Sequence, residues 1–158
     1  MNRYMEQKRY WIEGTHALRL ILLETFSDAD LAFSPGGQNM SLGALFHDIG
    51  EVEYSYIQSL KTFKQDWDYH NTDAEIESSV AKLKAWYQLL DEQMQETVSA
   101  FSDEELTKSV ERPGGHAMPV EMQLDVYVQA LLIFLGKATI YAKAMKKPLS
   151  EAMQQYIG

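Results

Sequence analysis

Ser41-Leu42-Gly43-Ala44-Leu45-Phe46-His47-Asp48-Ile49-Gly50-Glu51-Val52-Glu53 is the stretch that decides the fold of this chain. Serine is a favoured helix N-cap, because its hydroxyl takes up an amide N–H left unpaired in the first turn. Leu42, Leu45, Phe46, Ile49 and Val52 follow at three- and four-residue spacing, and Tyr56, Ile57 and Leu60 extend the stripe. The segment is therefore read as an amphipathic helix from 41 to about 61–63, one face of which must be buried. His47 and Glu51 stand one turn apart beside the stripe. An imidazole and a carboxylate at that spacing can address one zinc, nickel or iron ion. The bland alternative is a histidine hydrogen-bonded to its neighbour at the edge of the core.

Three more long helices are expected around it. The first runs from about 2 to 26, with Trp11, Thr15, Leu18, Leu22 and Phe26 on one face and His16 off that face. Ser34-Pro35-Gly36-Gly37 falls in the break that follows. Residues 64–71 read as a loop. Thr72-Asp73-Ala74-Glu75 has the form of a capping box and is expected to open the third helix, whose stripe is Ile76, Val80, Leu83, Trp86, Leu90, Met94 and Val98. Ser102-Asp103-Glu104-Glu105 is a second capping box, opening a short turn to about 108. Pro113-Gly114-Gly115 marks a turn within 110–119, between two short extended arms. The fourth helix is expected from 120 to 144, and a last short one over 150–157. Four long helices with one long connection predict an all-α protein, a four-helix bundle with short extra helices, in a single domain over 1–158.

The composition narrows the function. The chain has 158 residues, no cysteine and a formal charge of −9. Thiolate metal sites, disulfides and a cysteine nucleophile are excluded. The acidic balance, without a basic cluster, argues against a nucleic-acid partner. The N-terminal residues lack a signal-type apolar core. The apolar run 126–135 falls short of the roughly 20 residues that span a bilayer. A cytoplasmic protein with no membrane partner is the expectation. No phrase resembling a nucleophile elbow or a phosphate loop occurs.

The order of elements, the phrase Leu42-Gly43-Ala44-Leu45-Phe46-His47-Asp48-Ile49, and the later phrase Phe134-Leu135-Gly136-Lys137-Ala138-Thr139-Ile140-Tyr141 resemble the DinB-like/YfiT-like superfamily. The resemblance implies an up-down-down-up four-helix bundle, often a homodimer. It implies a divalent metal held by one histidine of the second helix and two of the fourth. Some members are thiol-dependent S-transferases or a maleylpyruvate isomerase. Carried over, the second-helix histidine falls on His47 and the fourth-helix glycine on Gly136. The histidine pair then falls on Ala130 and Phe134, and the residue after the glycine on Lys137. No register supplies the pair, because no histidine follows His116.

The expected reading is thus a superfamily member without a competent catalytic metal, acting as a small-molecule-binding or interaction module. The pocket candidates are His47, Glu51, Tyr127, Gln129, Ala130, Phe134 and Tyr141, with His47 the one residual metal ligand. The alternative is a divergent metal-dependent enzyme, a thiol-dependent S-transferase or hydrolase using zinc or nickel on His47 and Glu51, completed by Gln129, Asp125 or a partner subunit. His16, His70 and His116 are read as scattered, the last two in loops.

Overall fold

A computed structural model describes residues 1–157. Four long helices make up most of it: α1 (Arg3–Glu24), α2 (Leu42–Thr62), α3 (Val80–Ala100) and α4 (Val120–Ala144). Between α3 and α4 lies an antiparallel hairpin, β1 (Ser109–Arg112) with β2 (His116–Pro119), and α5 (Glu151–Ile157) closes the chain. Single 3₁₀ turns occupy Asp28–Ala32 and Glu105–Thr107.

Side-chain pairing fixes the direction of each helix. Near their starts α1 and α4 meet through Arg3 with Glu121 and Tyr4 with Asp125, so they run parallel. Asn2 at the start of α1 donates to the carbonyls of Val98 and Phe101 at the end of α3, so that pair is antiparallel. Phe46 on α2 packs edge-on against Phe134 of α4, and Ser59 accepts from Gln123, which sets these two antiparallel. The topology is up-down-down-up. Parallel α2 and α3 need a long return, and residues 63–79 provide it.

The core is continuous along the bundle axis: Leu22, Leu23, Phe46, Ile57, Leu83, Leu90, Leu124, Leu131 and Ala138 are fully or almost fully buried. As a 25-residue element, α4 is long and apolar enough to cross a membrane by length and composition, with mean hydropathy 1.4 in its most apolar window. The run 126–135 that the sequence displays is only its centre. Half of that window is buried inside the bundle, which accounts for its apolarity.

Two expectations about elements are corrected. Residues 72–75 do not start a helix. The segment stays in turns until Ser79, whose hydroxyl accepts from Lys82 N and caps α3. Asp73 is drawn instead to the Lys82 ammonium, and Ile76 is buried from a turn. The reason is tertiary: the Glu77 carbonyl is seated against Gly43 of α2, so close that a Cβ there would lie 1.9 Å from its oxygen. His116 is in β2 and not in a loop. The hairpin turn uses Gly114 and Gly115 at φ of 86° and 78°, a region glycine enters without steric cost. Arg112 on β1 donates to Gln123, whose amide reaches Ser59 and Gln65, tying hairpin, α2 and α4 together.

Replacing Gly43 with alanine is expected to cost about 1–3 kcal/mol, because backbone and not a flexible side chain must yield. A lower urea midpoint at unchanged slope is the expected readout, and an unchanged midpoint would remove this account of the turn. The second capping box forms as expected, with Glu105 accepting from the Ser102 amide and hydroxyl. The Ser102 amide first, then Lys108, pull the Glu105 carboxyl down to about 2. Its folded value is depressed, so its contribution is present above the ordinary carboxylate range and is lost as pH falls through about 2. An NMR titration should place the Glu105 midpoint there; an ordinary midpoint would mean that the cap does not form in solution.

Candidate functional site

The spacing on α1 predicts an apolar face through Trp11 and Leu18, but Trp11 is exposed and Leu18 only half-buried. The inward face runs through Ile12, Thr15, His16, Arg19, Leu22 and Leu23. Two of the most polar side chains of α1 therefore point into the bundle, and His16 is not off the buried face as expected.

Around them a polar cluster draws on all four long helices. Arg19, 1% exposed, donates to Glu53 Oε2 on α2 and to Asp91 Oδ1 on α3, both at 2.5 Å. Its guanidinium lies 3.9 Å over the ring of Tyr87. His16 Nδ1 is 2.9 Å from the same Asp91 oxygen, and His16 Nε2 is 2.6 Å from the Tyr127 hydroxyl on α4. Glu53 is fully buried, and its Oε1 accepts no hydrogen bond of good geometry; the His16 ring is 3.4 Å away. A buried carboxylate oxygen without a partner is costly, and the Tyr127 hydroxyl, which also interacts with the Glu53 carboxylate, is the donor beside it.

The charges of the cluster are mutually set. Burial alone would lower the Arg19 pKa, but Glu53 and then Asp91 outweigh it and hold the guanidinium more firmly charged than usual. Burial raises the Asp91 carboxyl, yet the bond to His16 and the Arg19 charge bring it below its ordinary value. Burial, and next the Glu53 charge, push the Tyr127 hydroxyl well above its ordinary range. The cluster is thus one cation between two carboxylates, with a protonated tyrosine beside the imidazole.

On the outer side of His16 and Asp91 a cavity of about 250 Å³ opens between α1 and α3. Met5, Ile12, Leu20, Met94 and Val98 form apolar walls, and Arg9, Glu13 and Gln95 stand among the remaining lining residues. A smaller space of about 230 Å³ shares His16, Leu20, Asp91 and Gln95 with it and is also lined by Arg19 and Tyr87.

The residues singled out from sequence are distributed differently. His47 Nδ1 is 2.7 Å from Glu77 Oε1. Its Nε2 is 2.9 Å from Glu51 Oε1 as the spacing suggested, although outside hydrogen-bond geometry. Glu51 also accepts from the Asn71 amide and meets His70, so His70 is not an isolated loop histidine. The cavity beside His47, about 300 Å³, is lined by α2 and the segments before and after it and includes no residue of α4. Tyr127 faces His16 and Tyr56 instead. Phe134 packs on Phe46, and Tyr141 donates to the Met40 carbonyl. Gln129 is exposed, Ala130 is half-buried, and Asp125 is engaged by Lys8 and Tyr4. The seven pocket candidates therefore do not line one pocket.

A metal seat shared by α2 and α4 does not fit these residues. Ala130 and Phe134 carry no donor atom, and His47 turns Nδ1 to Glu77, just before α3, and Nε2 toward Glu51 of α2 itself. Among the described residues, the group of metal-ligating side chains whose donor atoms lie within 4.8 Å of one another is His16, Glu53 and Asp91.

Comparison with known proteins agrees with the fold. The model of the DinB superfamily matches residues 12–130. YfiT from Bacillus subtilis, described as a probable metal-dependent hydrolase with an unusual four-helix bundle topology, superposes with a TM-score of 0.74 at 14% identity, over 94% of this chain and 91% of that one. A DinB-like protein from Bacillus cereus gives 0.73 at 16% identity, with 93% of each chain covered. Another from Bacillus subtilis gives 0.72 at 13%, covering 89% of this chain and 94% of the other. No protein of curated function matches.

Changing Arg19 to methionine should cost about 3–5 kcal/mol, because two carboxylates would be left without their buried counter-charge. Replacing Arg19 and Glu53 together by methionine and leucine should recover part of that loss. Urea unfolding of single and double variants measures both, and strictly additive losses would show that the pair is not coupled.

Proposed function

The chain belongs to the DinB superfamily, and from that premise we propose that it is a small-molecule-binding member that does not use a metal seat between α2 and α4. The observation that carries the reading is the cavity between α1 and α3, floored by His16 and Asp91. Apolar walls with a few convergent polar groups are the usual form of a ligand site. At about 250 Å³ the space suits a small molecule, since drug-sized ligands occupy pockets of about 300–1,000 Å³.

The lining defines the ligand class. Met5, Ile12, Leu20, Met94 and Val98 favour an apolar body. The Asp91 carboxylate, part of which remains accessible, favours a hydrogen-bond donor or a cationic head at the inner end. Arg19 and His16 hold Asp91 in place, so the head would meet a pre-positioned acceptor without ordering a loop. His47 and Glu51 lie at a separate cavity and are not part of this reading.

A thermal-shift screen of small primary amines and alcohols bearing short alkyl or aryl groups tests this. Binders should raise Tm by several degrees at saturating concentration. Val98→Trp, which fills the cavity, should abolish the shift, and His47→Ala should leave it unchanged. Shifts that survive Val98→Trp and vanish in His47→Ala would place binding at the other cavity and refute the proposal.

A further inference from the structure

We infer that the outer face of α4 is a self-association surface, on which a second copy of this chain packs its own α4 antiparallel about a two-fold axis. The first observation is a second apolar stripe on α4, on the side away from the bundle. Met122, Val126, Gln129, Ile133, Gly136 and Ile140 follow one another at alternating spacings of four and three. That is the spacing of a coiled-coil seam, and only Gln129 in it is polar. None of the six is buried: Met122 is 52% exposed, and Ile133 and Ile140 are 61% exposed. Leu132 lies exposed beside the seam, and Trp11, exposed on α1, adjoins α4 at Val128. Single exposed apolar side chains are ordinary, but a contiguous stripe marks an interaction surface.

The second observation is Gly136. Glycine inside a helix costs stability relative to alanine. Apart from its own helix, no atom of the chain lies within 4 Å of the place that a Cβ would take. Nothing in the protomer therefore requires a glycine there. The missing side chain leaves room for a branched side chain from outside.

The face itself selects its occupant. The stripe has the same spacing read from either end, so an axis between Gln129 and Ile133 maps it onto itself. Met122 then meets Ile140 of the partner subunit, and Val126 fills the space over Gly136 of the partner subunit. Charge supports the same arrangement. The chain carries −9, so two copies repel over most of their surface. The α4 helix is neutral, with Glu121 and Asp125 near its start and Lys137 and Lys143 beyond its middle. An antiparallel pair sets the acidic end of each helix toward the basic end of the other, whereas a parallel pair sets like against like. Arg3 and Lys8 also pair with Glu121 and Asp125, so neither carboxylate beside the seam is uncompensated. The size is adequate as well. Twenty-five residues make α4 about 37 Å long, and with α1 beside it the face is about 20 Å wide, on the order of 700 Å². A stable dimer buries about 800 Å² per partner. A lipid surface fits less well, because the chain is acidic and the stripe lacks a rim of cations. The cavity between α1 and α3 includes no residue of α4, so this inference does not rest on the ligand reading.

Sedimentation equilibrium of the full-length protein at micromolar concentration tests it, and a mass twice the 18.1 kDa of one chain is expected. Ile133→Glu puts a charge at the centre of the seam and should weaken association by about thirtyfold or more. Leu89→Glu, at an exposed position on α3, should leave it unchanged. The chain has no cysteine, so cross-linking reads the arrangement directly even if Ile133→Glu fails to fold. Met122→Cys and Ile140→Cys in one chain should give a disulfide-linked dimer, and neither change alone should. A monomeric wild-type protein overturns the inference, and a monomer that binds phosphatidylcholine vesicles assigns the face to lipid instead. A dimer that persists in folded Ile133→Glu, or that cross-links through Met122→Cys alone, also overturns it.

Discussion

Arg19 is the residue through which three helices are held at a common level. Its guanidinium has almost no contact with solvent, and its two arms end on carboxylates from α2 and α3. A buried charge without compensation is costly enough to exclude most alternative packings. Sliding α2 or α3 by one turn would strand Arg19, Glu53 or Asp91 in an apolar interior. Such a tie specifies register more than it adds stability, since a well-packed apolar replacement of similar volume can be as stable. The surrounding leucines and phenylalanines supply the burial, and the Arg19 tie selects which burial is realised.

That arrangement also divides the bundle along its length. At the level of Phe46 and Phe134 the interior is aromatic, and the space beside His47 is lined by no residue of α4. At the level of His16, Glu53, Asp91 and Tyr127 it is polar and coupled, and it borders a cavity. Superfamily relatives of the same topology superpose over nearly the whole chain at identities of 13–16%. Fold at that distance says nothing about where a site must lie. In this chain the chemistry-bearing side chains of the cluster converge from all four long helices, and at the level of Phe46 and Phe134 the α2–α4 contact is aromatic packing.

The parts of the fold that were legible are those governed by local periodicity. The stripe from Leu42 to Leu60, the cap at Ser41, the hairpin turn at Pro113-Gly114-Gly115 and the absence of a histidine pair in α4 all read directly. The start of α3 did not, because Thr72 to Glu75 offers a sound local cap that the Glu77–Gly43 contact overrides. The polar cluster was missed for a related reason. An apolar stripe search follows leucines, and on α1 it follows Trp11 and Leu18 outward. His16 and Arg19 at i and i+3, on the same face as Ile12, Leu22 and Leu23, were the signal that could have shown a polar interior.

What the sequence determined by itself is the set of helices and their burial faces over most of their length, because hydrophobic periodicity and capping are short-range properties of the chain. It also determined that a three-histidine seat between the second and fourth helices cannot be assembled, since the residues are not there. Only the tertiary structure decided what replaces it. Glu53 and Asp91 are 34 and 72 residues removed from Arg19 along the chain. Their charges compensate one another only after α1, α2 and α3 have packed, and an isolated segment carries no trace of that pairing.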